Sequence, residues 1–145
     1  MRPLARIVSG GELSRIMLAL KTLASTDALG KTLIFDEVDA GIGGAVADVV
    51  GARLRLLGDR FQVLCITHLP QIAAYGSTHY RIQKSVRSGR TSTTVTRVDG
   101  IDREEEIARM IGGADISATV LAGAREMIEA KANTKRKAKA KGGAV

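Results

Sequence analysis

Three acids and one histidine are the residues whose types and spacing could do chemistry. Asp36, Glu37 and Asp39 close the run Thr32-Leu33-Ile34-Phe35 and open a glycine-rich turn, Gly41 to Gly44. Four apolar-capable residues bounded by turn signals predict a buried strand. An unpaired carboxylate is costly to bury, so acids placed where a core strand surfaces call for a partner such as a cation. In nucleotide hydrolases such a position holds magnesium beside a phosphate chain, and the next acid can orient the attacking water. The plain alternative is a strand that ends in a solvated acidic turn. His68 follows a second apolar run, residues 61–67, at the kind of strand edge where open α/β sheets bind ligands. A lone histidine there can equally be structural.

Near the amino terminus, Ser9-Gly10-Gly11-Glu12 places Ser and Glu three apart, the spacing of a capping box. Leu13, Ile16, Met17, Leu20 and Leu23 follow at helical spacing, predicting a helix from Glu12 to Ser25. The two glycines just ahead of it would leave backbone N–H groups open at the positive end of the helix dipole, where an anion can approach. A capped amphipathic helix with no ligand accounts for the same residues, but glycine is a poor helix former, and two in the cap point to a ligand or another backbone coming close.

These residues need elements to position them. Val46, Val49, Val50, Leu54 and Leu57 predict a helix over Ala45 to Leu57, with those five on one face. Phe61 to Thr67 reads as a second buried strand, apolar as expected when helices cover both faces of a parallel sheet. The second half changes character. His79 to Ser85 and Thr91 to Val98 are β-branched runs that read as a hairpin joined by residues 86–90. Asp102 opens a short helix with Glu104, Glu105 and Glu106 in its first turn, stopped by Gly112-Gly113. A last helix runs from Ser117 to Ala132 and packs through Val120, Leu121, Ala124, Met127 and Ile128. Gly30-Lys31-Thr32 imitates the end of a phosphate-binding loop, but that loop would follow a strand and open a helix, and this tripeptide does the reverse. The sequence contains no other match.

The 145 residues fit one domain with a real core, or a piece of a larger one. Aromatics at 3% leave the packing to Leu, Ile, Val and Ala. No apolar run is long enough to span a bilayer and no signal-peptide core is visible, so the expectation is a cytoplasmic protein. Cys65, the only cysteine, lies inside an apolar run and reads as a small core residue. Of the net charge of +7, residues 131–145 supply six, with no acid, and the rest holds 16 basic against 15 acidic residues. Basicity is therefore expected in a low-complexity tail that has no fixed structure, residues 133–145, and not in the folded body.

Taken together, SGGELSR (Ser9 to Arg15), LIFDEVDAGIGG (Leu33 to Gly44), ITHLPQIAA (Ile66 to Ala74) and REEEIARMIGG (Arg103 to Gly113) resemble the carboxyl-terminal part of the ATPase head of the bacterial RecN family of DNA repair proteins. That family is related to the structural-maintenance-of-chromosomes (SMC) and ABC-type ATPases. Glu12, where ABC transporters usually have Gln, and His-Leu-Pro-Gln at 68–71 set the chain apart from transporters. The resemblance implies an α/β fold, part of a P-loop NTPase of ABC/SMC type, with a mostly parallel sheet flanked by helices, then a hairpin and further helices. Residues 1–132 would form the carboxyl-terminal lobe of such a head.

The resemblance also implies a mechanism in which two heads sandwich ATP, with Mg2+ as cofactor. Ser9, Gly10, Gly11 and Glu12 would belong to the signature motif that contacts the γ-phosphate held by the opposite head. Asp36 would be the Walker B acid at the metal and Glu37 the general base. Asp39 would be the D-loop acid that crosses the interface, and His68 the switch histidine. The partners implied are an amino-terminal lobe carrying the Walker A loop, in cis or trans, a head-to-head dimer, and DNA, with no membrane. Without that loop, the chain alone is expected to bind ATP weakly and not to turn it over. Two other readings stay open: a non-catalytic nucleic-acid or protein-binding fragment, and an ABC-type ATPase of another class.

Overall fold

In a computed structural model of the chain, the residues described are 10–23, 31–87 and 89–142. Ser9, Ser25 and Gly30 lie outside them. The chain divides into two compact units, Met1–Tyr75 and Gly76–Val145. The boundary falls just before the hairpin, where the sequence changes character.

In the first unit, helix α1 (Gly10–Leu23) precedes strand β1 (Thr32–Phe35), helix α2 (Gly44–Leu57), strand β2 (Gln62–Cys65) and the single turn α3 (Pro70–Ala73). The strands pair in parallel, Thr32 opposite Gln62 through Phe35 opposite Cys65. Parallel neighbours need a crossover, which α2 provides. One face of the pair joins the core: Phe35, with Leu33, Val63 and Cys65 beside it, clusters with Leu18 of α1 and with Ala47, Val50, Leu54 and Leu57 of α2. Each large aliphatic or aromatic side chain fully buried there contributes about 1.5–3 kcal/mol.

The other face differs from expectation. Ile34, Leu64 and Ile66 are exposed. Side chains alternate along a strand, and here the helices supply core partners only to the Leu33–Phe35 set, so the alternate residues stay uncovered. The buried stripe of α2 likewise runs through Ala47, Val50, Gly51, Leu54 and Leu57, which leaves Val46 and Val49 exposed where the sequence pattern placed them inside. The ring of Tyr75 explains the shift, because it packs directly on Gly51 and its hydroxyl lies 3.2 Å from Asp48 Oδ2.

In the second unit, β3 (His79–Arg87) and β4 (Arg90–Val98) form an antiparallel hairpin, followed by α4 (Gly100–Gly112) and α5 (Ala118–Gly142). The hairpin is longer and its turn tighter than the sequence suggests, with Gly89 at φ 74° supplying the left-handed residue. Helix α4 starts two residues earlier than Asp102, which puts Glu104 to Glu106 beyond the first turn and gives them other tasks than meeting the dipole. Glu106 is buried and receives a bidentate pair from Arg109 at 2.7 and 2.9 Å, and Glu104 takes Arg125 of α5 at 2.8 Å. Helix α5 continues through residues 133–142, where composition predicts no fixed structure. Ala and Lys are both strong helix formers, and a 25-residue helix is past the length at which propagation outweighs nucleation. Among the described residues no helix is long and apolar enough to cross a membrane.

Candidate functional site

Asp36 and Glu37 emerge where β1 ends, and both are exposed. The backbone then turns sharply. Glu37 sits at φ 55°, a left-handed conformation that costs a side-chain-bearing residue about 1–3 kcal/mol and that concentrates at working sites. Its own amide donates to Asp36 Oδ1 at 2.9 Å, and Ala40 N donates back to Glu37 O at 3.0 Å. The consequence is a carboxylate aimed sideways: a Cβ built on Gly10 would stand 2.5 Å from Glu37 Oε2.

Helix α1 is clamped to this same turn. Ser14 Oγ donates to Asp36 O at 2.7 Å, and Arg15 Nη1 donates to Ala40 O at 2.8 Å and to Val38 O at 3.3 Å. Gly11 leaves no room for a side chain, since a Cβ there would meet Ala40 Cβ at 2.6 Å and Glu37 O at 2.8 Å. The sequence places the glycines ahead of the helix with a ligand or backbone close by. The structure places both inside its first turn, and the close neighbour is this chain's own strand-end turn. The positive end of α1, suited to an anion, is therefore met by the Glu37 carboxylate.

The third segment joins through Asp39, which is 4% exposed. Its Oδ2 accepts from Thr67 Oγ1 at 2.6 Å and from His68 N at 2.8 Å, and lies 2.9 Å from His68 Nδ1. Burial raises the pKa of this carboxyl, but the hydrogen bonds from Thr67 and the His68 backbone outweigh it and hold Asp39 below the ordinary carboxylate range. The resemblance implies an acid here that reaches across an interface, whereas this carboxylate faces inward and orients His68. The imidazole is 74% exposed, with Nδ1 turned to Asp39. Nothing in the sequence marks Thr67 as a partner of Asp39, 28 residues away. Nor does it mark the contacts of Ser14 and Arg15 with the 36–40 turn, since both read as ordinary polar positions of an amphipathic helix.

Glu12 is exposed in the first turn of α1. Cys65 is half-buried against the core, and burial, then the charges of Asp39 and Asp36, push its thiol up to about 12, which fits a packing role. Among the described residues no group of three or more His, Cys, Asp or Glu side chains could hold a metal ion. Magnesium asks less: it keeps several waters and binds through one or two carboxylates together with substrate phosphates, a role that the exposed Asp36 fits.

Fold and site define a mixed α/β chain whose carboxylates stand at the edge of a parallel strand pair, gathered with a glycine-opened helix and a histidine. No family model matches the chain. Relatives do: DNA repair protein RecN of Xylella fastidiosa (strain 9a5c) is 52% identical over 128 residues, 88% of this chain and 23% of the relative. RecN of Treponema pallidum (strain Nichols) is 51% identical over 136 residues, 93% of this chain and 24% of the relative, and RecN of Deinococcus radiodurans is 49% identical over 126 residues, 87% and 22%. The chain is a RecN homologue, and it spans less than a quarter of the length of these relatives.

Proposed function

We propose that the chain serves DNA repair as the carboxyl-terminal lobe of a RecN-type ATPase head, a partial P-loop fold of ABC/SMC class that hydrolyses ATP only when another lobe supplies the Walker A loop, in cis or in trans. The observation that supports this most is the convergence of three separated segments, with Glu37 against Gly10 and Asp39 tying His68 to the same turn. Relatives named as DNA repair proteins support the biological context.

In this reading Asp36 would hold Mg2+, and a bound ion would supply neutralisation of phosphate charge. Glu37 orients the attacking water and accepts its proton. His68, with Nδ1 held by Asp39, presents Nε2 outward to the γ-phosphate. Asp39 is a positioning residue. The N-terminal turn of α1, with Gly10, Gly11 and Glu12, receives the γ-phosphate brought by a facing head, with Ser9 assigned to the same motif by sequence alone, and this requires the Glu37 carboxylate to swing from its place beside Gly10. Backbone N–H groups at a helix start suit that task.

The test is to mix the chain with a RecN amino-terminal lobe and measure phosphate release. A rate well above that of the lobe alone is expected, and Glu37→Gln should lower it by about 10²–10⁴-fold, the usual worth of a positioned general base. No stimulation, or stimulation indifferent to Glu37→Gln, refutes the reading.

A further inference from the structure

We propose that the β3–β4 hairpin is a nucleic-acid contact, its cationic tip gripping the phosphate backbone independently of the lysine-rich segment of α5. The proposal rests on the DNA-repair part of the reading above and not on its ATPase part. Residues 79–98 contain five cations, Arg81, Lys84, Arg87, Arg90 and Arg97, and no carboxylate, whereas the rest of residues 1–130 holds 11 cations against 15 carboxylates. The near-neutral charge of the body thus conceals a strongly segregated one.

Position sharpens the argument. Lys84, Arg87 and Arg90 crowd the last rungs before the turn, and the register sets Arg87 directly opposite Arg90. Arg97, at the base, already has a partner in Asp99 at 2.9 Å. Charges on exposed strands also discourage edge-to-edge pairing, but either sign would serve that purpose, and only one is present. Between the cations stand exposed hydroxyls, Thr91, Thr93, Thr94 and Thr96, able to donate to phosphate oxygens. With nine residues per strand at roughly 3.4 Å each, the ribbon is about 30 Å long, and a two-stranded ribbon fits the major groove of a duplex.

The experiment uses the full chain and a fluorescently labelled duplex DNA, with binding followed by anisotropy across a salt series. The unaltered chain is expected to bind with a steep inverse salt dependence. The triple change Lys84→Gln, Arg87→Gln, Arg90→Gln should make the slope of log K against log salt shallower by about two to three, since each lost phosphate contact removes about 0.9. Charge-conserving exchanges, Lys84→Arg with Arg87→Lys and Arg90→Lys, should keep the slope, which separates charge from fold. A slope unchanged by the Gln triple, or lost only when Lys135, Arg136, Lys137, Lys139 and Lys141 become Gln, overturns the proposal. Its failure leaves the phosphate-release test untouched, and the reverse holds too.

Discussion

The two glycines of α1 look equivalent in the sequence and are not equivalent in the structure. A methyl group on Gly10 would meet only the far end of the Glu37 side chain, which can rotate away, while one on Gly11 would meet the Glu37 carbonyl and Ala40. Gly10→Ala should therefore leave urea stability unchanged or slightly raised, because Ala favours a helix over Gly by up to about 1 kcal/mol. Gly11→Ala should lose about 1–3 kcal/mol, the typical cost of overpacking a fixed contact, and should loosen the clamp of Arg15 on Ala40. Equal effects of the two changes would contradict this geometry. Cys65 offers a second check at this scale. With its thiol pushed up to about 12, it should react with thiol reagents at pH 8 only after unfolding.

At the scale of elements, the junction of β3 with α4 carries a pH dependence whose parts separate by sign and window. Burial, and then the neighbouring Arg103, lower His79 from its ordinary 6.5. Glu106 of α4 also faces it and acts in the opposite direction, and Arg81 of the same strand acts on Glu106. A base with a depressed folded pKa binds fewer protons folded than unfolded, so its stability is complete above pH 6.5 and declines as pH falls through the interval below. The Arg109 hydrogen bonds hold Glu106 below its ordinary 4.5, so its contribution is complete above that value and is lost as pH falls further. Unfolding measured by denaturant from pH 8 to 3 should thus decline in two stages. His79→Gln should flatten the first and spare the second, and Glu106→Gln should do the reverse, and a single unmodified decline in either variant would refute the assignment. Apart from the single turn α3, the existence and order of the elements are legible from periodicity and β-branched runs, as are the paired acids and the histidine. What could not be read were pairings over long sequence separation: Thr67 with Asp39, Arg15 with the 38–40 turn, and the true inner stripe of α2, which depends on where Tyr75 packs. Local patterns fix which residues can be buried, and only tertiary contact decides which are.

At the scale of the molecule, the uncovered face of the β1–β2 pair has consequences that do not depend on catalysis. Ile34 is 68% exposed, and Leu64 and Ile66 stand beside it on the same side of the pair, each about half exposed. Single exposed apolar residues are ordinary, but three adjacent ones on one side of a strand pair are a surface that other apolar groups will cover. The chain on its own should therefore associate with itself as concentration rises, seen as a shift to faster species in sedimentation velocity. Ile34→Thr with Leu64→Thr should reverse the shift. Threonine keeps the β preference of the strands while removing apolar area, and these side chains contribute nothing to the core cluster, so folding should be unaffected by circular dichroism. If the proposed amino-terminal lobe seats against this face, adding it should suppress self-association in the unaltered chain, and the double variant should bind that lobe less well while remaining monomeric. A chain that stays monomeric at every concentration, with the lobe bound equally by both forms, would show that this apolar face takes no part in assembly and that the strand pair is complete as it stands.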